Sequence, residues 1–138
     1  MRITYLYAET PQTVSSLSLM EHLEDPEKHV RELYRILKPN GTVVLRLPNL
    51  QYIFEPHSKW PLLYLFQKSF QHKVFEKLNY GYVNMEVTVN YVLRLFKRIG
   101  FELRRSVKLY HLSIMKALPI APSYIFILKK YARNDFKL

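Results

Sequence analysis

The chain has 138 residues, a length that suits a single domain over residues 1–138 with a hydrophobic core of its own. Its 49% hydrophobic and 23% charged residues favour a globular chain over a disordered one. Because the sequence contains no cysteine, disulfides, thiolate catalysis and cysteine-based zinc sites are excluded.

The net charge of +10 lies almost wholly in the second part of the chain. Residues 1–55 carry six Lys/Arg and seven Asp/Glu, whereas residues 56–138 carry fifteen and four. Such a basic half can attract nucleic acid, anionic lipid or a phosphorylated substrate, and it is equally typical of a solvated surface. No known nucleic-acid-binding module is visible, so the sequence gives direct binding to nucleic acid little support.

Nothing in the sequence predicts a membrane protein. The N-terminus lacks the basic-then-apolar pattern of a signal peptide. The most apolar long stretch, residues 109–128, is interrupted by Lys116, Pro119 and Pro122, which makes it a poor transmembrane segment. We therefore expect a cytoplasmic protein.

The first elements in chain order predict strand, helix and strand. Two β-prone runs occupy residues 3–8 and 14–20. A helix should begin after Asp25, a good N-cap, with Pro26 at its first position. Its apolar stripe follows the spacing i, i+3, i+4, i+7: Val30, Leu33, Tyr34 and Leu37.

A tight turn and a buried strand should follow this helix. Pro39 disfavours further helix, and Asn40 with Gly41 suits a turn. The nearly continuous apolar run at residues 42–47 predicts a strand covered on both faces. The three elements form a βαβ unit, in which the strands lie parallel and the crossover is right-handed.

The second half predicts two helices and two strands. Helical spacing covers residues 61–78, and Thr88 and Gly100 suit the start and stop of a helix at residues 88–99. Strands are expected at residues 101–109 and 123–128, with a short helix at residues 111–118 between them. Because no long helix separates these strands, they should pair antiparallel, which completes an α/β layered domain.

Several of these segments together resemble class I S-adenosylmethionine-dependent methyltransferases of the small-molecule type 11 kind. The resemblance rests on Ser18–Leu23 (SLMEHL), Asp25-Pro26, Leu33–Gly41 (LYRILKPNG), Pro48-Asn49, Ile99–Phe101 (IGF) and the terminal SYIFILKK. The order and spacing of these segments, from about Val14 to Lys130, carry it more than any one motif. It implies a partial doubly wound, mostly parallel, Rossmann-like methyltransferase sheet with an antiparallel C-terminal strand pair.

The resemblance also implies S-adenosylmethionine as cofactor, and it exposes a gap. Such enzymes hold the cofactor with a glycine-rich turn after the first strand, where the backbone must approach the ligand closely. The only glycines here are Gly41, Gly81 and Gly100, too far apart for a G-x-G motif. We therefore expect the cofactor-gripping half to be missing and binding by this chain to be doubtful.

Site residues are expected after each of the two strands of the βαβ unit, because α/β sheets bind ligands at the carboxyl ends of their strands. By resemblance, Leu19, Met20 and Glu21 lie beside the cofactor. His22 is the candidate general base, since its reference pKa lies near neutrality. The candidate substrate-binding residues are Asn49, Tyr52 and His57. In each case the alternative is an ordinary polar loop.

The remaining histidines and serines suggest no other chemistry. His29 and His72 lie in predicted helices and are expected at the surface. Without carboxylates clustered at ligand spacing, the five histidines predict no metal site. Ser15, Ser16 and Ser18 lack the glycines of a nucleophile elbow.

Three functions remain open from the sequence. The first is methyl transfer to a small-molecule, sugar or lipid-like acceptor by a chain that is incomplete alone. The second is a non-catalytic interaction module, in which the exposed strand edge at residues 14–20 binds a second copy or an N-terminal partner chain. The third is a basic binder of nucleic acid or anionic lipid through residues 56–138, where an aromatic segment flanked by lysines lies.

Overall fold

A computed structural model describes residues 11–79, 81–110, 116 and 120–131. The four strands are β1 (Thr13–Leu17), β2 (Thr42–Pro48), β3 (Phe101–Leu109) and β4 (Ser123–Lys130). The three α-helices are α1 (Pro26–Ile36), α2 (Lys68–Lys77) and α3 (Val89–Ile99). Short 3₁₀ helices span Met20–His22 and Leu63–Leu65. Within these ranges no helix is long and apolar enough to cross a membrane.

The strands form one mixed sheet in the order β1-β2-β4-β3. β1 and β2 pair parallel, with Thr13 opposite Thr42 and Leu17 opposite Arg46. β4 pairs antiparallel with β2 on one side and with β3 on the other. The predicted α/β class, the parallel βαβ unit and the antiparallel C-terminal pair are confirmed.

Helix α1 begins and ends as its sequence predicts. The Asp25 side chain accepts a hydrogen bond of 2.9 Å from the Lys28 backbone N–H, and Pro26 occupies the first turn. At the other end the Lys130 ammonium donates to the carbonyls of Tyr34 and Leu37, at 2.6 and 2.8 Å. A cation there satisfies carbonyls that the helix leaves unpaired and favours its negative end.

The main core lies between one face of the sheet and helices α1 and α3. Alternate β2 residues, Val43, Leu45 and Leu47, are fully buried in it. On the opposite face of the same strand Arg46 is exposed and Val44 is half-buried. The expectation that β2 is covered on both faces is therefore wrong for the described residues, because the helices that pack on the sheet share one face.

Two predicted elements are shorter than expected. The strand at 14–20 ends at Leu17, since Ser18 adopts a left-handed conformation (φ 49°) and the chain then turns into the 3₁₀ helix. The helix at 61–78 is broken, with left-handed Leu62, the second 3₁₀ helix and extended Gln67 before α2. The Gln71 side chain donates to the carbonyls of Leu63 and Phe66, at 3.2 and 2.8 Å, which stabilises the break.

Three smaller predictions have different outcomes. His72 is exposed as expected, but His29 is half-buried, with its Nε2 3.2 Å from the Ser16 hydroxyl, and burial lowers its pKa. The predicted strand at 3–8 lies outside the described residues. The predicted helix at 111–118 does as well, apart from Lys116.

Gly100 forms the end of α3 in a way that other residues cannot. Its φ of +117° lies in the left-handed region, and a Cβ there would stand 2.9 Å from Cε2 of Tyr34. Its N–H bonds the carbonyls of Phe96 and Lys97, both at 3.2 Å, which closes the helix.

We expect Gly100→Ala to lower the free energy of unfolding by about 2 kcal/mol, since it adds both left-handed strain and overlap with Tyr34. The matched control is Gly81→Ala, because a Cβ at Gly81 meets no atom within 4 Å. The control should change stability by less than about 0.5 kcal/mol. Urea denaturation of both variants measures the difference, and equal stabilities would contradict the assignment.

Candidate functional site

Polar side chains gather where β1 and β2 end. Because the two strands are parallel neighbours, their carboxyl ends meet at one edge of the sheet. Glu21 and His22 lie in the 3₁₀ helix that follows β1, and His57 lies in the loop that follows β2. The fold therefore brings together residues that are 35 positions apart in the sequence.

Buried anchors hold the segment after β1. The Ser18 N–H donates a hydrogen bond of 3.0 Å to the Arg46 carbonyl, which continues the parallel pairing for one residue. Met20 is fully buried in the main core, and the Glu21 carbonyl accepts 2.7 Å from the Asn84 N–H. Leu19, which lies between Ser18 and Met20, is 39% exposed. Of the three predicted cofactor contacts, only Leu19 presents its side chain outward.

The loop after β2 is held by Asn49. Its Nδ2 donates a hydrogen bond of 3.0 Å to the Ala121 carbonyl. Its Oδ1 accepts a hydrogen bond of 3.2 Å from the Gln51 N–H. Tyr52 is only 2% exposed. The structure thus places two of the three predicted substrate-binding residues inside the protein and commits the Asn49 amide to backbone groups.

Glu55 organises the part of this loop that carries His57. It is fully buried, and its Oε2 accepts from the backbone N–H groups of His57, at 2.9 Å, and Ser58. Its Oε1 lies 2.7 Å from Nδ1 of His57. Burial alone would raise the pKa of Glu55, but the hydrogen bonds from His57 and Ser58 outweigh it and lower that pKa.

Glu21 stands in contrast, because it is a buried carboxyl without such support. It is fully buried, and neither side-chain oxygen finds a hydrogen-bond donor among the described residues. Burial raises its pKa, and the nearby backbone N–H of Glu21 itself, together with His22, His57 and Arg46, only partly offsets this effect. Leaving a buried carboxyl unbonded is costly, so residues of this kind tend to mark functional sites.

Two imidazoles face Glu21. The Nε2 atoms of His22 and His57 lie 3.8 and 3.9 Å from the same oxygen, Oε1. The two rings meet edge to face with centroids 5.5 Å apart. Nδ1 of His22 lies 2.8 Å from the Tyr82 carbonyl. We call Glu21, His22 and His57 the Glu-His-His cluster; one ligand atom of each lies within 4.8 Å of the others.

The cluster corrects one sequence-based inference and adds a residue. The sequence shows no carboxylates and histidines clustered at metal-ligand spacing, yet the parallel strand pair brings Glu21 within 3.9 Å of both His22 and His57. Glu55 was not singled out at all, because an acidic residue two positions from a histidine in an irregular stretch shows no periodic signal. Its burial and its contact with His57 appear only in the folded chain.

An open groove lies beside the cluster, on the side of the Tyr82 carbonyl. It is lined by Lys68, Gln71, His72 and residues 82–86. Side chains of the cluster are accessible to different degrees: His22 is 35% exposed, His57 14% and Glu21 not at all. Small polar molecules can therefore reach the cluster from the His22 side.

The two buried carboxyls should respond in opposite ways to the same substitution. In buffer containing EDTA, Glu21→Gln should raise the free energy of unfolding by about 1 kcal/mol, because it removes a buried acid that lacks donors. Glu55→Gln should lower it by about 2 kcal/mol, because it weakens a set of charge-assisted bonds. Urea denaturation measures both variants. A destabilised Glu21→Gln would contradict the absence of partners for this carboxyl.

Comparison with solved structures shows which fold carries this site. A methyltransferase from Thermotoga maritima, described as S-adenosylmethionine-dependent and as a possible histamine N-methyltransferase, superposes with a TM-score of 0.61 at 18% identity, covering 91% of this chain and 59% of that one. An S-adenosylmethionine-dependent methyltransferase from Mesorhizobium loti gives 0.60 at 13% identity, covering 86% and 62%.

A third structure agrees with these two. It is a methyltransferase from Listeria monocytogenes, putatively dependent on S-adenosylmethionine by its own description, with a TM-score of 0.58 at 12% identity and coverage of 93% and 65%. At such identities the likeness shows the fold. The chain spans about three fifths of the length of these proteins.

A search of curated proteins found no match. A family model described as "Methyltransferase domain" matches residues 6–106, which is 101 of the 138 residues. The matched range contains β1, α1, β2 and the whole Glu-His-His cluster. This chain therefore belongs to the methyltransferase-domain family, and it has the fold of S-adenosylmethionine-dependent methyltransferases.

Proposed function

We propose that this chain forms the acceptor side of a methyltransferase that transfers a methyl group from S-adenosylmethionine to a small-molecule, sugar or lipid-like acceptor. The observation that carries the proposal is the Glu-His-His cluster at the carboxyl edge of a parallel strand pair, within a methyltransferase domain. Bound S-adenosylmethionine supplies an electrophilic methyl group, so the protein has mainly to position the acceptor and accept its proton.

The proton acceptor in this proposal is Nε2 of His22. The Tyr82 carbonyl can only accept, so Nδ1 of His22 donates to it, and the neutral ring carries its lone pair on Nε2. The His22 side chain is 35% exposed, so a bound acceptor could approach this ring from solvent. Glu21 would stabilise the imidazolium that forms. Asn49 and Tyr52 would contribute indirectly, by stabilising the loop that carries His57.

The described residues fit one side of a cofactor site. Leu19 and the backbone of residues 19–21 would contact the cofactor beside the end of β1. Gly41 and Gly100 lie at the amino ends of β2 and β3, which is the opposite edge of the sheet, and Gly81 stands alone. No glycine-rich turn is thus present within these 138 residues. We propose that they bind S-adenosylmethionine weakly by themselves.

Amide chemical shifts of the ¹⁵N-labelled 138-residue chain test this proposal during titration with S-adenosylmethionine. We expect a dissociation constant weaker than about 1 mM, with shifts concentrated at residues 19–22 and in the loop after β2. Adenosine without the methionine end is the control ligand and should perturb residues 21 and 22 less. Shifts spread evenly over β3 and α3 would contradict the assigned site, and micromolar affinity would contradict the incomplete grip.

A second candidate function is association through the edge of β1. In the described part of the sheet, β1 is a terminal strand, and Leu17 and Leu19 are 57% and 39% exposed beside it. An unpaired edge with apolar side chains favours addition of another strand. The occupant would be a second copy of this chain or a separate N-terminal partner chain.

Light scattering coupled to size exclusion tests the self-association. We expect wild type to show a mass above that of the 16.6 kDa monomer, and Leu17→Lys to return it to the monomer. Leu103→Lys is the matched control, since Leu103 is similarly exposed, at 44%, but lies on β3 at the other end of the sheet. A wild-type chain that is monomeric throughout would exclude the second copy and leave only the separate partner.

A further inference from the structure

We propose that the Glu-His-His cluster is a binding site for a first-row divalent transition-metal ion, with Zn²⁺ as the probe. The ligands are Oε1 of Glu21 and the Nε2 atoms of His22 and His57. The site does not depend on whether the chain transfers a methyl group.

The first argument is the direction of the lone pairs. Nδ1 of His22 faces the Tyr82 carbonyl at 2.8 Å, and Nδ1 of His57 faces the Glu55 carboxylate at 2.7 Å. Both partners are acceptors, so each neutral ring carries its hydrogen on Nδ1 and its lone pair on Nε2. Both Nε2 atoms lie within 3.9 Å of Oε1 of Glu21, which also only accepts when ionised. Three potential acceptor atoms that lie this close to one another form a set that a cation can bridge.

The second argument is the spacing of these atoms. The distances of 3.8 and 3.9 Å from Oε1 to the two Nε2 atoms are too long for hydrogen bonds. Two ligands bound at about 2.05 Å in a tetrahedron stand about 3.3 Å apart. A contraction of about half an ångström would bring Glu21 within ligand spacing of each histidine. The two histidine ligand atoms, which lie within 4.8 Å of each other, would have to approach by up to about 1.5 Å.

The third argument is the support behind the ligands. Histidine ligands of metals usually donate their other N–H to a carboxylate or a backbone carbonyl, which fixes the ring and its tautomer. His57 has the carboxylate, Glu55, and His22 has the carbonyl, Tyr82. Glu55 is itself held by backbone N–H groups, so this outer layer is rigid before any ion arrives.

Glu21 supplies an independent observation. Its side chain is fully buried, points into the cluster, and has no hydrogen-bond donor within the described ranges. A bound cation would satisfy this buried acid, which the described residues leave without a donor. His22, with 35% of its side chain exposed, lies 3.8 Å from Glu21 and so connects the buried carboxyl to the protein surface.

The donor set identifies the class of ion. Two imidazole nitrogens and one carboxylate suit Zn²⁺, Fe²⁺ or Mn²⁺, whereas Mg²⁺ and Ca²⁺ prefer oxygen ligands. Three protein ligands leave at least one position open for water or a substrate oxygen, as in catalytic rather than structural sites. An ion on Nε2 of His22 occupies the atom that the general-base proposal uses, so the two roles of His22 exclude each other at any one moment.

The experiment is titration of the untagged, EDTA-treated 138-residue chain with Zn²⁺, in competition with a chromophoric chelator, followed by Co²⁺ substitution and visible absorption. We expect one ion per chain with a dissociation constant of about 1 µM or tighter, and the d–d bands of a low-symmetry Co²⁺ site. A rise of the melting temperature with Zn²⁺ concentration should accompany binding. Mg²⁺ at the same concentration should leave it unchanged.

Variants decide which residues hold the ion. Glu21→Gln, His22→Gln and His57→Gln should each weaken Zn²⁺ binding at least tenfold, and Glu55→Gln should do so through the loss of support for His57. His29→Gln and His72→Gln are the matched controls and should bind as wild type does. Circular dichroism establishes that each variant folds, and Glu21→Gln remains informative because it should be the more stable protein.

The outcomes separate cleanly. Absence of one-to-one Zn²⁺ binding by wild type would overturn the site. So would equal weakening by His29→Gln or His72→Gln, which would indicate scattered surface binding. Absence of S-adenosylmethionine-induced shifts at residues 19–22, with intact Zn²⁺ binding, would overturn the proposed methyl transfer alone. The predicted shifts without Zn²⁺ binding would overturn the metal site alone.

Discussion

The parallel pairing of β1 with β2 is the constraint on which the rest of the structure depends. Parallel neighbours need a crossover connection, and α1 provides it. Asp25 caps the N-terminus of this helix, and the Lys130 ammonium bonds the carbonyls at its C-terminus. The pairing brings the carboxyl ends of both strands to one edge of the sheet, so the segments that follow them must meet. Glu21 and His22 arrive from one segment, and His57 and Glu55 from the other.

The two buried carboxyls at this edge show the difference between support and function. Glu55 is bonded by two backbone N–H groups and an imidazole, and it holds its loop in place. Glu21 is as deeply buried and has no donor among the described residues. A buried acid without a hydrogen-bond donor lowers the stability of the fold. Next to two oriented imidazoles, such a residue is typical of a binding site rather than of a purely structural element.

The order of elements and most helix ends followed from local chemistry. Asp25 with Pro26, Thr88, and Gly100 after Ile99 mark helix ends, because caps and left-handed stops act within one turn of the chain. The strand at 14–20 and the helix at 61–78 were overextended. Their true ends depend on left-handed Ser18 and Leu62 and on contacts made by Gln71, and apolar spacing contains none of this information.

The sequence by itself determined the α/β order, since capping and hydrophobic spacing act between near neighbours. Its motifs also indicated the methyltransferase resemblance, which implies the candidate pair Glu21-His22. Only the tertiary structure decided that His57 lies beside that pair and that Glu55 holds the His57 ring. It likewise decided that the Asn49 amide bonds backbone groups. It also decided that Glu21 is buried without a donor among the described residues. The physical reason is that burial and converging lone pairs are properties of segments distant in the chain, and the parallel strand pair alone brings them together.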